Sequence, residues 1–244
     1  TQVEFTKDNL TLTVDGNTIP STVDTTKGVK GSKETALAGY VAAVAQGKDD
    51  ITGKGAQVGT EYYTTLADAF EALNKTNHTL TLIDGSKWDA ATPVYWKAGD
   101  QSDYAATLKA AMEAAYAKNA ESITIICKPN ATITTSPAHI DVTDDITVYA
   151  NGADFGGNDL SIGTYAAPKN SPTTINIYDA KNLVVWGQPV GERADVWNVN
   201  FTDCVNDGSN FLMYRGGETG TAKINATLTG CKATGFKDSI IHTT

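Results

Sequence analysis

The sequence predicts a mainly β chain: a right-handed parallel β-helix preceded by an N-terminal α+β region that caps and flanks it. Three observations predict it. From about residue 121, β-branched runs recur with starts roughly 23 to 28 residues apart: Ile123 to Cys127, Ile146 to Tyr149, Thr174 to Tyr178, Trp197 to Asp203 and Ile224 to Gly230. Weaker runs fall between them, at Ala131 to Thr134, Leu183 to Trp186, Phe211 to Tyr214 and Ser239 to His242. Finally, Asn200-Phe201-Thr202-Asp203-Cys204 aligns with Thr227-Leu228-Thr229-Gly230-Cys231 at an offset of 27, and Gly208 then aligns with Gly235. A period of about 20–30 residues with two or three short strands per unit is the mark of a solenoid, because one coil cannot bury its inward residues without coils above and below. The fixed offset stacks Phe201 on Leu228 and Cys204 on Cys231. An immunoglobulin-like sandwich, the main rival, has no reason to keep that register.

The elements before residue 121 divide the chain into 1–55, 56–102 and 103–244. In 2–19, Phe5, Leu10, Leu12 and Val14 alternate, and Asp15-Gly16 makes a hairpin turn. A polar loop over 21–32 leads to a helix from Ser32 to about Gln46, whose Leu37, Val41 and Val44 share one face. Residues 47–56 form a loop or short linker. Two further helices are expected: Thr65 to Leu73, with Leu66, Phe70 and Leu73 on one side, and about Tyr104 to Ala117, with Leu108, Met112 and Ala115 on one side. The two resemble each other, and each is followed by a strand, Leu80-Thr81-Leu82-Ile83 and Ile123-Thr124-Ile125-Ile126.

Composition narrows the class. Charged residues are only 19% of the 244, and about one residue in seven is Thr, which favours strands and gives an outer face hydroxyls in place of charge. This suits an extracellular β-rich protein. The net charge is −9, and the two arginines, Arg193 and Arg215, form no basic stripe, which argues against nucleic-acid binding. The same charge is a poor fit to anionic lipid, and no run of about 18 apolar residues is present to insert into a membrane. An acidic surface also attracts Ca²⁺. The first residues carry no basic or apolar signal segment and read as a mature start.

Two stretches carry a resemblance. Ala56-Gln57-Val58-Gly59-Thr60-Glu61-Tyr62-Tyr63-Thr64-Thr65-Leu66-Ala67-Asp68-Ala69-Phe70 resembles a segment that precedes β-helical repeats in large surface proteins of gut Gram-positive bacteria. Asp103 to Leu108, continuing through Ile125-Ile126-Cys127-Lys128-Pro129-Asn130-Ala131-Thr132-Ile133, resembles the opening of the pectate-lyase-like superfamily, where a helix caps the first coil. Thr174 to Gly187 and Asn198 to Cys204 are similar to its rungs. The likeness covers roughly residues 56 to 244. It implies the fold strongly and the chemistry weakly, since this fold carries many functions.

What the resemblance implies for chemistry is polysaccharide lyases using a carboxylate-held Ca²⁺ with a basic residue, or hydrolases using clustered Asp. The hydrolase set of Asn-Thr-Asp, Asp-Asp, Gly-His and Arg-x-Lys is absent as a set. The best catalytic candidates are Asp203, Asp207 and Arg215, with Arg193 near in sequence. Asp144-Asp145 is the candidate Ca²⁺ pair, against an ordinary reading as a turn. His78, His139 and His242 stand too far apart in sequence to suggest a triad. Trp186 and Trp197 are candidate sugar-stacking residues, against core packing. Cys204 and Cys231 are a candidate inter-coil disulfide, against two stacked buried thiols. Asn-x-Thr triplets at Asn9, Asn74, Asn77, Asn130, Asn200 and Asn225 are candidate N-glycosylation sites.

The expected function is a non-catalytic cell-surface module: a stalk, an adhesin or a carbohydrate-contacting domain, with glycans or host surface components as partners. A polysaccharide lyase or hydrolase is the alternative from another class, and a self-assembling structural protein is the third. The run Ser239 to Thr244 looks like a mid-coil strand, so the last coil is expected to be covered either by further sequence or by head-to-tail self-association.

Overall fold

The computed structural model describes residues 3–5, 12–14, 17–18, 53–133, 139–157, 159–164, 167–187, 194–208, 210–214, 222–235 and 241–243. The chain divides into two units, Thr1–Gly53 and Lys54–Thr244. In the first, strand Val3–Phe5 pairs antiparallel with Leu12–Val14, which pairs in turn with Asn17–Thr18 on the far side of Asp15-Gly16. The helix expected from Ser32 lies outside the described residues, as do Asn9, Arg193 and Arg215.

The second unit contains a parallel β-solenoid of about four turns. Its long sheet stacks Ser122–Cys127, Asp145–Tyr149, Thr173–Tyr178, Val196–Thr202 and Lys223–Thr229, all parallel and in that order. A second sheet stacks His139–Val142, Asp159–Ile162, Val184–Gly187, Leu212–Tyr214 and Ile241–Thr243. The third face is thinner. Single bridges join Thr132, Asp154, Lys181 and Val205 in a column, and Val205–Asp207 pairs with Lys232–Thr234. Each coil therefore visits three faces.

Side chains alternate because successive residues of a strand point to opposite sides. Inward columns run Ile125, Val148, Ile177, Phe201, Leu228 and Ile123, Ile146, Ile175, Val199, Ala226. All belong to one apolar core. Each buried aliphatic or aromatic side chain contributes about 1.5–3 kcal/mol, so like-on-like columns hold the register. Along Lys223–Thr229 the inward residues Ile224, Ala226 and Leu228 are only half-buried, whereas Val199 and Phe201 one coil back are buried. On the outer face, amides stack coil to coil. Asn200 donates to Asn176 Oδ1 at 3.0 Å, and Asn225 to Asn198 Oδ1 at 3.0 Å.

The first coil is closed by sequence just before it. Val94–Ala98 pairs antiparallel with Ser122–Cys127 and forms a hairpin with Gln101–Ala105. Helix Leu108–Tyr116 then buries Leu108, Ala111, Met112 and Ala115 in the solenoid core. It precedes the first coil in sequence and shares its core. Thr107 N-caps it, accepting from Ala110 N, as Thr65 caps helix Leu66–Ala72 by accepting from Asp68 N. The two helices thus start alike but their following strands diverge. Leu80–Leu82 pairs antiparallel with Ala56–Val58, which also pairs with Glu61–Tyr63, instead of joining the solenoid.

Candidate functional site

The outward residues at the ends of the long-sheet strands build the site. Ile126, Tyr149 and Tyr178 lie in register on three successive coils. The segment 54–92 folds over this row. Phe70, Trp88 and Leu80 pack with Ile126 and Tyr149, with Tyr178 at the margin. Tyr149 and Tyr178 stack at 5.3 Å and 13°, and burial pushes both phenols up.

Immediately after this row the chain turns a corner, where Asn151, Asp179, Asp203 and Gly230 take a left-handed conformation, with φ of 52°, 53°, 54° and 64°, and Gly152 beside Asn151 does so at 76°. Asn, Asp and Gly are the residues that adopt this region at least cost. Corner backbone groups bond to the next coil: Gly152 N donates to Asp179 O, Asp179 N to Thr202 O, and Asp203 N to Thr229 O. The corner is therefore a column of short polar side chains.

Residues 78–80 dock on that column. Leu80 N donates to Asn151 Oδ1 at 2.8 Å, while Asn151 Nδ2 donates to Cys127 O at 2.9 Å and Tyr149 O at 3.3 Å. The Thr79 hydroxyl donates to Asp179 Oδ2. His78 Nε2 lies 3.2 Å from Asp203 Oδ2 and 3.7 Å from Asp179 Oδ2, and its ring stacks on Tyr178 at 4.9 Å. Beside this contact runs a groove of about 520 Å³ between strand Leu80–Leu82 and the corner and third face. Thr79, Asn130, Asn151, Asp179, Lys181 and Asp203 supply its polar lining. His78, Asp179 and Asp203 are the His, Cys, Asp or Glu side chains that could hold a cation together, among the described residues.

Asp203 is in the groove, half-exposed. Asp207 is exposed on the third face, outside the groove lining, where Oδ1 accepts from the Thr234 hydroxyl at 2.9 Å and its amide donates to Asn182 Oδ1. Asp144 is buried, its Oδ2 3.0 Å from Lys169 Nζ, and Asp145 Oδ1 accepts from Thr174 N at 2.7 Å. Asp144 is thus paired with Lys169 and Asp145 with the backbone of Thr174, while Asp144 Oδ1 is buried without a hydrogen-bond partner among the described residues. Trp197 is 1% exposed and faces the core, so it offers no surface for sugar stacking. Trp186 is half-buried beside His139, with ring centroids 5.5 Å apart. Cys204 and Cys231 lie on adjacent coils as free thiols. Asn74, Asn77, Asn130 and Asn225 are exposed, and Asn200 is half-buried in its amide ladder.

Sequence reasoning missed His78 and Asp179. His78 is 125 residues from Asp203 in the chain, and no local pattern links them. Repeating Asn, Asp or Gly just after each long strand is the one signal that marks the corner. No helix of the described residues is long and apolar enough to cross a membrane. No protein-family model, curated protein or solved structure matches the chain.

Proposed function

We propose that the chain is a non-catalytic extracellular β-helix module, a cell-surface adhesin or stalk domain, that contacts carbohydrate along the corner groove. The observation that carries this reading is the groove itself. It is open, elongated across coils and lined by amides, hydroxyls, carboxylates and Lys181, with Leu80, Leu82 and Pro129 as apolar floor. From Asn130 to Val205 it crosses three rung spacings, about 14 Å at roughly 4.8 Å each. A polyhydroxylated chain offers donors and acceptors along such a length, and the alternating polar and apolar lining matches its edges and faces. The stacked coils make a rigid support, and the low charge and Thr-rich outer strands suit an extracellular setting.

A second reading, a polysaccharide lyase or hydrolase, is favoured by one fact: carboxylate oxygens of Asp179 and Asp203 lie within 4.8 Å of each other beside the groove. Retaining glycosidases place their two carboxyl groups about 5–5.5 Å apart. Against it, both carboxylates already engage the docked segment, Asp179 through Thr79 and Asp203 through His78. A glycan array with a reducing-end assay on the same hits separates the two. Binding without new reducing ends supports the module; turnover abolished by Asp203→Asn establishes the enzyme.

A further inference from the structure

His78 presents an unusual electrostatic arrangement. Its Nδ1 lies 3.3 Å from the carbonyl oxygen of Lys75. With no cation bound, Nε2–H can donate to the Asp203 carboxylate; a carbonyl only accepts, so Nδ1–H can instead donate to Lys75 O and free the Nε2 lone pair. That lone pair faces Asp203 Oδ2 at 3.2 Å and Asp179 Oδ2 at 3.7 Å. Three electron-rich atoms thus converge, and no Lys or Arg among the described residues forms an ion pair with either carboxylate.

We infer that His78 Nε2, Asp179 Oδ2 and Asp203 Oδ2 form a binding site for a divalent transition-type cation of the Zn²⁺ class, which fastens residues 78–80 to the corner of two successive coils. The spacing fits. Zn–N and Zn–O bonds of about 2.0–2.2 Å put tetrahedral ligand atoms about 3.3–3.6 Å apart; the two separations from Nε2, 3.2 and 3.7 Å, bracket that range, and the two carboxylate oxygens lie within 4.8 Å of each other. The surroundings fit too. Metal-ligating imidazoles donate their other N–H to a carbonyl or carboxylate, and ligating carboxylates are themselves hydrogen-bonded. Lys75 O plays the first part, and the Thr79 hydroxyl plays the second on Asp179. The ring is held flat against Tyr178. The His78 and Asp179 side chains are 14% and 18% exposed, while Asp203 at 51% keeps the site open to solvent for entry and for a fourth, water ligand. An imidazole nitrogen in the set disfavours Ca²⁺ and Mg²⁺, which take oxygen ligands. The site is separate from Asp144-Asp145, and its test needs no sugar.

The test uses the full chain, stripped by chelator and titrated with ZnCl₂ by calorimetry near neutral pH. One Zn²⁺ per chain is expected, with a rise in the melting temperature. Binding should be at least ~10-fold weaker in His78→Ala and in Asp203→Asn, in line with losing one ligand, and unchanged in Asp207→Asn. Asn tolerates the left-handed corner, so Asp203→Asn preserves the turn. The wild-type protein gives a second readout that no folding defect can obscure: Zn²⁺ should move the imidazole resonances of His78 and leave those of His139 and His242. No binding, binding insensitive to both substitutions, preference for Ca²⁺ over Zn²⁺, or shifts at the other two histidines in place of His78 would each overturn the inference.

Discussion

Phe201 stands directly over Leu228 on the next coil, the two paired in register and both part of one core. Phe201 also meets Phe211 edge-on, with centroids 5.2 Å apart, so it ties the long sheet to the residue just before strand Leu212–Tyr214 of the second. Phe201→Ala should therefore lower the unfolding free energy by about 3–5 kcal/mol, as a large-to-small change in a packed core. Leu228→Ala, half-buried in the last strand, should cost less. Urea titration of both variants checks the ranking, and equal losses would contradict it.

Asp203 lays its carboxylate over Gly230 of the coil that follows. A Cβ added at Gly230 would sit 2.0 Å from Asp203 Oδ1, and Gly230 has φ of 64°. Gly230→Ala should cost at least about 1–2 kcal/mol from the left-handed backbone alone and should push the carboxylate away from His78. A structure of Gly230→Ala with the Asp203–His78 contact unchanged at 3.2 Å would refute this reading of the corner.

Asn151 is 5% exposed and joins three parts of the chain: Leu80, Cys127 and its own strand at Tyr149. Asn151→Ala leaves Leu80 N and Cys127 O without their partner, at about 1–3 kcal/mol per buried unsatisfied group. A total loss of about 2–6 kcal/mol is expected from the two groups. Hydrogen exchange should show the Leu80 amide losing protection while Ile177 and Val199, deep in the solenoid, keep theirs.

The three cysteines should react in a fixed order. Burial pushes the Cys127 thiol up to about 12. The neighbouring Cys204 thiol lowers that of half-buried Cys231, while the same neighbour and burial raise Cys204. The thiolate is the reactive form and exists above the pKa. Iodoacetamide should therefore label Cys231 first, at a pH below that needed for an ordinary thiol, and leave Cys127 unlabelled until the chain unfolds. Faster labelling of Cys127 would contradict the burial assigned to it.

The long sheet was legible because its strands are β-branched and alternate, and because Phe201 and Leu228 repeat at one offset. The weaker strands at Leu183 and Phe211 were legible for the same reason, shifted by one residue against Val184–Gly187 and Leu212–Tyr214. His139–Val142 and Asp159–Ile162 were not, because each is four residues long and mixes His, Asp or Ser with two or three apolar residues. Their pairing comes from stacking on neighbouring coils, which local propensity does not encode. The hairpin Val94–Ala98 with Gln101–Ala105 was missed because its second strand is polar. Of the site, Asp203 was legible as an acidic residue at a strand end. Its partners were not, since His78 and Thr79 reach the corner only through the packing of 54–92 over Ile126 and Tyr149.

On the proposed function, the groove between strand Leu80–Leu82 and the coil corners receives carbohydrate without cleaving it. Backbone amide NMR during titration with an oligosaccharide chosen from array hits tests this most directly. Shifts should cluster at Thr79 to Leu82, Asn130, Gly152 and Lys181, with the sugar recovered intact. Shifts confined to another face, or recovery of cleaved sugar, would contradict it.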